Sequence, residues 1–317
     1  MTPHRLSLAI PVYNEEAVIP ELLRRLLPVL DALPGGPHEI VFANDGSRDG
    51  TLGVLTAAAE GDARIRVVSL TRNFGHQAAL TAALDHTTGD AVLAMDADLQ
   101  DSPEVLPTLM AKLDEGFDVV VVQRMKRKEP WWLRLGYHTA YRLIARMSAI
   151  PLTVDAGDFA LMSRRVVDAM GSLPERERYL RGLRSWVGYR QTTVQVPREA
   201  RAAGESKYSL GRLFSLALDG AFSFSIIPLR ISAAFGFVAF TGALLFSLYA
   251  IYAKLVLGQS PQGFTALIVV LTFLVGVLLI ALWIIGEYVG RIYFEVKRRP
   301  LYLVERLVGV DKPPRAH

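Results

Sequence analysis

Two long uncharged runs near the C-terminus constrain the fold of this chain most. Residues 231–253 and 264–286 each contain 23 consecutive residues without one Asp, Glu, Lys or Arg. Because a helix of roughly 20 apolar residues crosses the hydrocarbon core of a bilayer, both runs predict membrane-spanning helices. Two buried core helices are the alternative, but such helices are usually shorter and keep a polar edge.

The charges that flank these runs predict how the chain faces the membrane. The connecting segment 254–263 carries one Lys, whereas the segment 287–300 carries four basic residues. Because Lys and Arg concentrate on the cytoplasmic side, we expect a short external connection and both termini in the cytoplasm. The first five residues lead directly into "LSLAIPVY", which predicts a strand rather than a cleavable signal peptide.

The composition narrows the class of partner. The chain contains no cysteine, which excludes disulfides and thiolate metal sites and suits a protein that faces the cytosol. Its net charge of +4 is better explained by attraction to anionic lipid than by nucleic-acid binding, because the sequence shows no base-stacking module. We therefore expect a membrane, and no nucleic acid, among the partners.

Residues 6–124 alternate short apolar runs with amphipathic helical patterns. This alternation predicts an α/β fold with a mostly parallel sheet that is covered on both faces. Ligands bind beyond the carboxyl ends of the strands in such sheets, so the polar residues that end the strands should converge on one edge. These residues are Asn14, Glu15, Asp45, Arg72, Asn73, Asp96, Asp98 and Arg124.

Two later segments predict helices at a membrane surface. Residues 131–150 mix Trp, Tyr and Arg with aliphatic residues at helical spacing, and residues 209–228 lead into the first uncharged run. Helices of this kind lie in the interface with their apolar faces in the lipid, and packing against the soluble domain is the alternative. The sequence thus predicts a cytoplasmic domain at 1–208, two spans within 229–287 and a basic cytoplasmic tail at 288–317.

Carboxylates follow two of the predicted strands. A turn with a helix cap explains the residues after Asp45 but not Asp45 itself, which is suited to accept hydrogen bonds from a ligand. In extended backbone Asp96 and Asp98 share one face, with Ala97 on the other, and two neighbouring carboxylates need a cation. Oxygen ligands without His or Cys favour Mg²⁺ or Mn²⁺ and leave coordination positions for a diphosphate.

Two further segments contribute candidate residues. Asp155 and Asp158 precede another predicted strand and helix. The segment 198–213 contains a glycine among cationic and hydroxyl donors, which suits a flexible clamp on a diphosphate, although a solvated connection is the alternative. The donors of this predicted clamp are Arg201, Ser206 and Lys207.

The order of these motifs resembles that of a known family. The similar stretches are "IPVYNEE", "NDGSRDGT", "DADLQDSPE", "GDFALMSRRVVDAM", "GESKYSL" and "GEYVGRIYFEVKRRPLYLVE". Together they resemble the family 2 glycosyltransferases that load a sugar onto polyprenyl phosphate, which are bacterial relatives of dolichol-phosphate mannose synthase. The resemblance covers nearly the whole chain and is strongest to the branch with two C-terminal spans that makes undecaprenyl-phosphate glucose. It implies a cytoplasmic GT-A nucleotide-sugar-binding domain held at the bacterial inner membrane by a multi-pass anchor.

The resemblance also implies a role for each candidate residue. The residues that it assigns to the nucleotide sugar are Pro11, Tyr13, Glu15, Asp45, Asp96, Ala97, Asp98, Gln100, Arg201, Ser206 and Lys207. Among these, Asp96 and Asp98 are expected to hold the metal. Asp158, with Asp155 as second choice, is expected opposite the leaving group, where it positions the acceptor or sugar more than it moves a proton.

One position departs from the family pattern. The family usually reads "GDFRLM", whereas this chain has Ala160 in place of the Arg. If that Arg binds the lipid phosphate, another basic residue must bind it here. The candidates are Arg124, Arg134, Arg142 and Arg146.

The implied reaction is inverting transfer of a hexose, with glucose from UDP-glucose as the best guess, to polyprenyl phosphate. The product would donate its sugar to cell-envelope glycosylation. A processive polysaccharide synthase is one alternative, but it needs more spans and a Q-x-x-R-W motif, and "LRGLRSW" here lacks the Gln. A non-catalytic nucleotide-sugar-binding partner of a flippase is another. The sequence leaves the sugar, the lipid length and homo-oligomerisation open.

Overall fold

The computed structural model describes residues 4–100, 102–124, 156–176, 178–196, 227–256 and 263–310. The chain divides into two compact units. One contains a sheet with its helices and includes the chain from residue 299 onward, and the other contains two long helices. The predicted surface helix at 131–150, and all but the last two residues of the one at 209–228, lie outside the described residues.

Eight strands form one mixed sheet in the first unit. They are β1 (Leu6–Val12), β2 (Glu39–Asn44), β3 (Ile65–Leu70), β4 (Ala91–Ala94), β5 (Val119–Arg124), β6 (Ala156–Ser163), β7 (Gln191–Val196) and β8 (Val304–Val308). Their order across the sheet is β7-β5-β6-β4-β1-β2-β3-β8. All run in one direction except β6 and β8, which pair antiparallel with their neighbours. The predicted mostly parallel α/β fold is confirmed.

Helices cover this sheet. They are α1 (Ile19–Ala32), α2 (Thr51–Gly61), α3 (His76–Asp85), a 3₁₀ turn (Pro103–Val105), α4 (Leu106–Asp114), α5 (Arg164–Gly171) and α6 (Leu180–Trp186). α1 buries Ile19, Leu22, Leu26 and Leu30, a spacing of three and four residues that places them on one face of the helix. Every residue of β1 and β2 is buried, which explains why these strands read as continuous runs.

The second unit consists of α7 (Ile227–Val256) and α8 (Phe264–Lys297). Within them, Ser232–Ala253 and Val269–Lys297 are long and apolar enough to cross a membrane, judged by length and composition. Both predicted spans therefore coincide with helices. Their insertion in a membrane stays a prediction.

The segment after α8 differs from the predicted basic tail at 288–317. α8 continues to Lys297, and β8 then joins the edge of the sheet by antiparallel pairing with β3. The Tyr302 hydroxyl is buried and donates a hydrogen bond to Asp85 Oδ2 at 2.8 Å. The charged residues before Pro300 predict a tail, whereas Val304–Val308 form a strand of the first unit.

Candidate active site

The strands β1 to β5 end at one edge of the sheet, which we call the carboxyl edge. Hydrogen bonds tie together the loops that follow β1 and β2 at this edge. The Asn14 N–H donates to Ser47 Oγ at 2.9 Å, and the Arg48 N–H donates to Asn14 Oδ1 at 2.8 Å. The Glu15 N–H donates to Thr51 Oγ1 at 2.9 Å. Asn14 has a φ of 56°, a left-handed conformation that Asn tolerates better than most residues.

Three of the residues assigned to the nucleotide lie at the end of β1 and in the loop that follows it. Pro11 is buried within β1, and Tyr13 is 39% exposed just beyond it. Glu15 is half-buried, and burial together with the negative charges of Asp98 and Asp49 raises its pKa. The predicted contacts of these residues with a nucleotide stay predictions, and the structure places them at the expected edge.

Asp45 holds the loop that leads into α3. Its two carboxylate oxygens accept hydrogen bonds from the N–H groups of Phe74 at 2.7 Å and Gly75 at 3.0 Å. The residue is only 2% exposed. Burial raises the pKa of Asp45 more than these hydrogen bonds lower it. The structure thus shows Asp45 fixing the start of α3, and its predicted direct contact with a ligand stays a prediction.

The backbone after β4 differs from the extended conformation predicted for residues 96–100. β4 ends at Ala94, residues 97–99 form a bend, and Leu99 has a φ of 58°. Strict alternation of side chains therefore does not apply after β4, and the shared face of Asp96 and Asp98 stays a prediction. Asp98 accepts hydrogen bonds from the backbone N–H of Gln100 at 3.1 Å and from its side-chain amide.

A histidine outside the sequence motifs contacts Asp96. The His76 side chain, at the start of α3, contacts Asp96 Oδ1 through Nε2 at 2.8 Å. Gln77 Oε1 accepts the Leu180 N–H, which leaves Gln77 Nε2 facing His76 Nδ1 at 3.3 Å. This arrangement assigns the acceptor role to Nδ1 and the proton to Nε2, which donates to Asp96. The hydrogen bond to Asp96 raises the pKa of His76.

The antiparallel strand β6 brings Asp158 to the same place. Ala94 of β4 pairs with Ala160 of β6, which is the last pair of this register, and the charges of His76 and Arg181 each interact with both Asp96 and Asp158. Asp158 is 8% exposed, and its two oxygens accept hydrogen bonds from Arg181 Nε at 2.8 Å and Nη2 at 2.9 Å. Burial raises the pKa of Asp158, but the bonds and charge of Arg181, with His76 and Arg184 nearby, lower it below its usual range.

A second arginine of α6 lies beside this pair. Arg184 is 4% exposed, and its Nη2 donates to the Gly157 carbonyl at 3.2 Å. Arg181 and Arg184 are three residues apart and lie on neighbouring positions of the helix surface. The sequence analysis assigns no role to either arginine of "LRGLRSW". Both are therefore additions to the predicted site.

The remaining predicted residues fall outside this description. Arg124 ends β5 at the carboxyl edge, but its side chain lies outside the described part of the chain. Seven others lie wholly outside the described residues. They are Asp155, Arg134, Arg142, Arg146, Arg201, Ser206 and Lys207.

Comparison with known proteins identifies the family. The model of the family "Glycosyl transferase family 2" matches residues 7–171. The chain belongs to glycosyl transferase family 2. The match confirms that the protein is a glycosyltransferase, and the mostly parallel sheet agrees with the predicted GT-A fold.

Whole-chain relatives of this family 2 glycosyltransferase extend the match through both long helices. An uncharacterized glycosyltransferase of Synechocystis sp. is 44% identical over 98% of this chain and 97% of its own. A bactoprenol glucosyl transferase of Shigella phage SfX is 40% identical over 95% of this chain and 99% of its own. An undecaprenyl-phosphate 4-deoxy-4-formamido-L-arabinose transferase of Enterobacter sp. is 36% identical over 96% of this chain and 94% of its own.

The acids of this glycosyltransferase fit only a partial protein shell for a metal. Among the described residues, no three His, Cys, Asp or Glu side chains are grouped closely enough to hold a metal ion. Asp96 and Asp98 nevertheless supply carboxylates at the carboxyl edge, and Asp98 is exposed there. A partial oxygen shell suits Mg²⁺ or Mn²⁺, because such ions keep waters and bind substrate phosphates. The two residues therefore fit a metal that is shared with a diphosphate.

Proposed function

We propose that this glycosyltransferase transfers a hexose, with UDP-glucose as the best guess for the donor, to the phosphate of a polyprenyl (undecaprenyl) lipid. The observation that carries the proposal is the clustering of Asp96, Asp158 and Arg181 at the carboxyl edge, where Arg181 binds Asp158 and its charge also interacts with Asp96. In α/β sheets this edge is where ligands bind. The relatives named for bactoprenol and undecaprenyl phosphate support the lipid acceptor, because they align with nearly the whole chain.

The chemistry requires one bond to form and one to break. An oxygen of the acceptor phosphate attacks C1 of the sugar, the bond from C1 to the donor diphosphate breaks, and the nucleoside diphosphate leaves with the electron pair. Attack from the side opposite the leaving group inverts the anomeric carbon. A phosphate monoester has its second pKa near 6, so at neutral pH the acceptor is largely a dianion and does not need a general base.

The surroundings of Asp158 support a positioning role. Both carboxylate oxygens are bound by Arg181, and the pKa of Asp158 lies below its usual range. A carboxylate with a lowered pKa is a weak base, and this one has no oxygen without a cationic partner. Asp158 therefore orients Arg181, and through it the reacting groups, rather than accepting a proton.

Asp96 and Asp98 are the residues that would hold Mg²⁺ or Mn²⁺. When bound, such an ion neutralises charge that develops on the leaving diphosphate. His76 holds the Asp96 carboxylate through a hydrogen bond of 2.8 Å, and Gln100 holds that of Asp98, so both acids keep fixed orientations. In this proposal the predicted clamp residues Arg201, Ser206 and Lys207 also contact the diphosphate.

The same proposal places α7 and α8 in the bacterial inner membrane, with the catalytic domain and both termini in the cytoplasm. A lipid carrier with a long isoprenoid tail stays in the bilayer, so the enzyme must meet it at the headgroup plane. The length and composition of the two helices support this placement. The basic residues that follow the second apolar run support the cytoplasmic orientation.

A donor panel tests the proposal and identifies the sugar. The full-length protein in lipid nanodiscs is incubated with undecaprenyl phosphate and Mg²⁺, with UDP-glucose, UDP-galactose, UDP-N-acetylglucosamine or GDP-mannose. Mass spectrometry should detect a hexosyl lipid phosphate with UDP-glucose, and Asp98→Asn is the inactive control. Two relatives of similar identity are named for different sugars, so a different product would correct the donor alone. A sugar polymer would favour the processive synthase, and no glycolipid with any donor would refute the proposal.

A further inference from the structure

Among the described residues at the carboxyl edge, Arg184 is a buried cation with an N–H that has no hydrogen-bond partner. Its side chain is buried, its Nη2 donates to the Gly157 carbonyl, and its Nε has no hydrogen-bond partner. Arg181, three residues earlier on α6, instead binds both oxygens of Asp158. The carboxylate near Arg184 is therefore already occupied by another guanidinium.

A buried guanidinium without an anionic partner is unfavourable. Burial lowers the pKa of Arg184 to about 10, even though the charge of Asp158 acts in the opposite direction. Cations are retained inside proteins where they are paired, hydrogen-bonded or needed to bind an anion. An anion that enters beside Asp158 would meet the unpartnered N–H of Arg184.

Position 160 of β6 indicates which anion Arg184 could bind. Phe159 and Leu161 of β6 belong to the main hydrophobic core, so Asp158 and Ala160 project from the opposite face. Ala160 is fully buried there, beside Ala94 and Val121 in the adjoining strands. An Arg at position 160, as in the family pattern "GDFRLM", would therefore share a face with Asp158. This chain lacks that Arg, and α6 delivers Arg184 to the Gly157 carbonyl at the start of the same strand.

We propose that Arg184 binds the phosphate of the lipid acceptor, and that it supplies from α6 the guanidinium that the family pattern places at position 160. The inference rests on the proposed function, which puts the acceptor on the Asp158 side. The donor diphosphate belongs instead with Asp98 and the metal. Arg184 thus replaces Arg124, Arg134, Arg142 and Arg146 as the first candidate for this contact.

Kinetics of full-length variants separate the two phosphates that Arg184 could meet. Arg184→Met should raise the KM for undecaprenyl phosphate at least about tenfold, because a charge-assisted hydrogen bond contributes on that order. The KM for the nucleotide sugar should stay within about twofold, and Arg184→Lys should fall between wild type and Arg184→Met. A rise confined to the donor KM would assign Arg184 to the diphosphate and overturn the inference.

Arg178 offers a matched control. It is also buried, and its guanidinium donates to the carbonyls of Leu173 and Glu175 instead of facing Asp158. Arg178→Met should lower thermal stability without raising the acceptor KM. An equal rise of the acceptor KM in Arg178→Met and Arg184→Met would show a general loss of packing and overturn the inference.

Moving the charge back provides a second test. In the double variant Ala160→Arg with Arg184→Met, the guanidinium returns to the strand, and the acceptor KM should fall at least about threefold below that of Arg184→Met. Circular dichroism and the thermal midpoint establish that the double variant is folded. A folded double variant without recovery would refute the relocation.

Direct binding distinguishes failure of the inference from failure of the proposed function. Native mass spectrometry without donor should show that wild type binds undecaprenyl phosphate more tightly than undecaprenol, and that Arg184→Met loses this preference. If wild type forms no glycolipid but shows the preference, the proposed function is wrong and the inference stands. If wild type forms glycolipid and Arg184→Met keeps its acceptor KM and its preference, the inference is wrong and the proposed function stands.

Discussion

The two ends of the sheet treat a buried carboxylate in opposite ways. At the amino end, Glu39 is 1% exposed and accepts hydrogen bonds from Ser7, from Thr88 and from Arg5. Arg66 adds an ion pair at 2.7 Å. Burial raises the pKa of Glu39, but the hydrogen bonds from Ser7 and Thr88 and the charge of Arg66 lower it by more. The net pKa lies below its usual range, so the carboxylate stays ionised.

At the carboxyl end the charges are paired incompletely. Arg181 binds both oxygens of Asp158, but the neighbouring Arg184 keeps an N–H without a partner, and Asp98 is exposed. A buried carboxylate saturated by donors has no oxygen left for a ligand, and losing one of its partners is destabilising. A cluster with unsatisfied groups lowers stability unless a ligand completes it. The contrast indicates that the polar network at the amino end is structural and the one at the carboxyl end is functional.

The largest effect should follow a change at Asp98. Asp98→Asn keeps the size of the side chain and removes the charge, so kcat should fall about a thousandfold if the residue helps to neutralise the leaving diphosphate. Because Asp98 is exposed, the thermal midpoint should not change. Glu60→Gln, an exposed carboxylate at the end of α2, is the control and should retain full activity. Activity of Asp98→Asn near the wild-type level would contradict the role given to the carboxyl edge.

A smaller loss should follow Asp158→Asn, with kcat down by about a hundredfold, the low end for losing one oriented charge. The pKa of Asp158 lies below its usual range because of Arg181, so the carboxylate is ionised at neutral pH and its contribution is lost only as the pH falls through that lowered pKa. The ratio of wild-type to variant rates should therefore stay constant between pH 6 and pH 9. A thousandfold loss in which the variant also loses an acid limb present in wild type would make Asp158 a general base.

The fold could be predicted well where the chain pairs with its near neighbours. Alternating patterns located β1 to β5 and their shared direction, because each buried strand is bounded by an amphipathic helix. The positions of β6 and β8 could not be predicted. Each enters the sheet antiparallel, far along the chain from the strand it pairs with, and no local pattern encodes that register.

The site was predictable to the same extent. Acids at strand ends indicated Asp96 and Asp98, and the family resemblance indicated Asp158, but only the folded chain brings Asp96 and Asp158 within reach of the same charges, those of His76 and Arg181. Arg184 was missed because a helical arginine usually lies in solvent. Its spacing held a signal: it lies four residues after the buried Leu180 and so falls on the apolar face of α6. His76 had no signal beyond its place at a helix start after a strand end.

The amino-end network should respond in stability rather than in rate. Glu39→Gln leaves two arginines facing a neutral amide, and losing one partner of a buried ionic network costs about 3 kcal/mol or more. Chemical denaturation of the full-length protein in detergent should show this loss, while kcat and both KM values stay within about twofold at 20 °C. A rate loss in a folded Glu39→Gln protein would contradict the division between the two ends.

The smallest effect concerns the contact between Asp85 and Tyr302, at the end of α3 that is far from His76. His76 begins this helix in the site, and Asp85 ends it where the buried Tyr302 hydroxyl donates at 2.8 Å. Tyr302→Phe removes one buried hydrogen bond, so unfolding should become easier by about 1 kcal/mol. Hydrogen exchange should quicken in β8 and at the Thr71 amide, which donates to the Leu303 carbonyl at 3.0 Å.

The kinetic constants of Tyr302→Phe should not change, because the Tyr302 hydroxyl contacts the last residue of α3, nine residues after His76. Tyr189→Phe is the matched control, since its ring keeps the contact with the Arg165 guanidinium, 5.3 Å from the ring centre. Faster exchange in β8 that is accompanied by a higher donor KM would mean that α3 transmits the change from Asp85 to His76. In that case the Tyr302 contact would be coupled to the site through α3, and its role could not be described as structural alone.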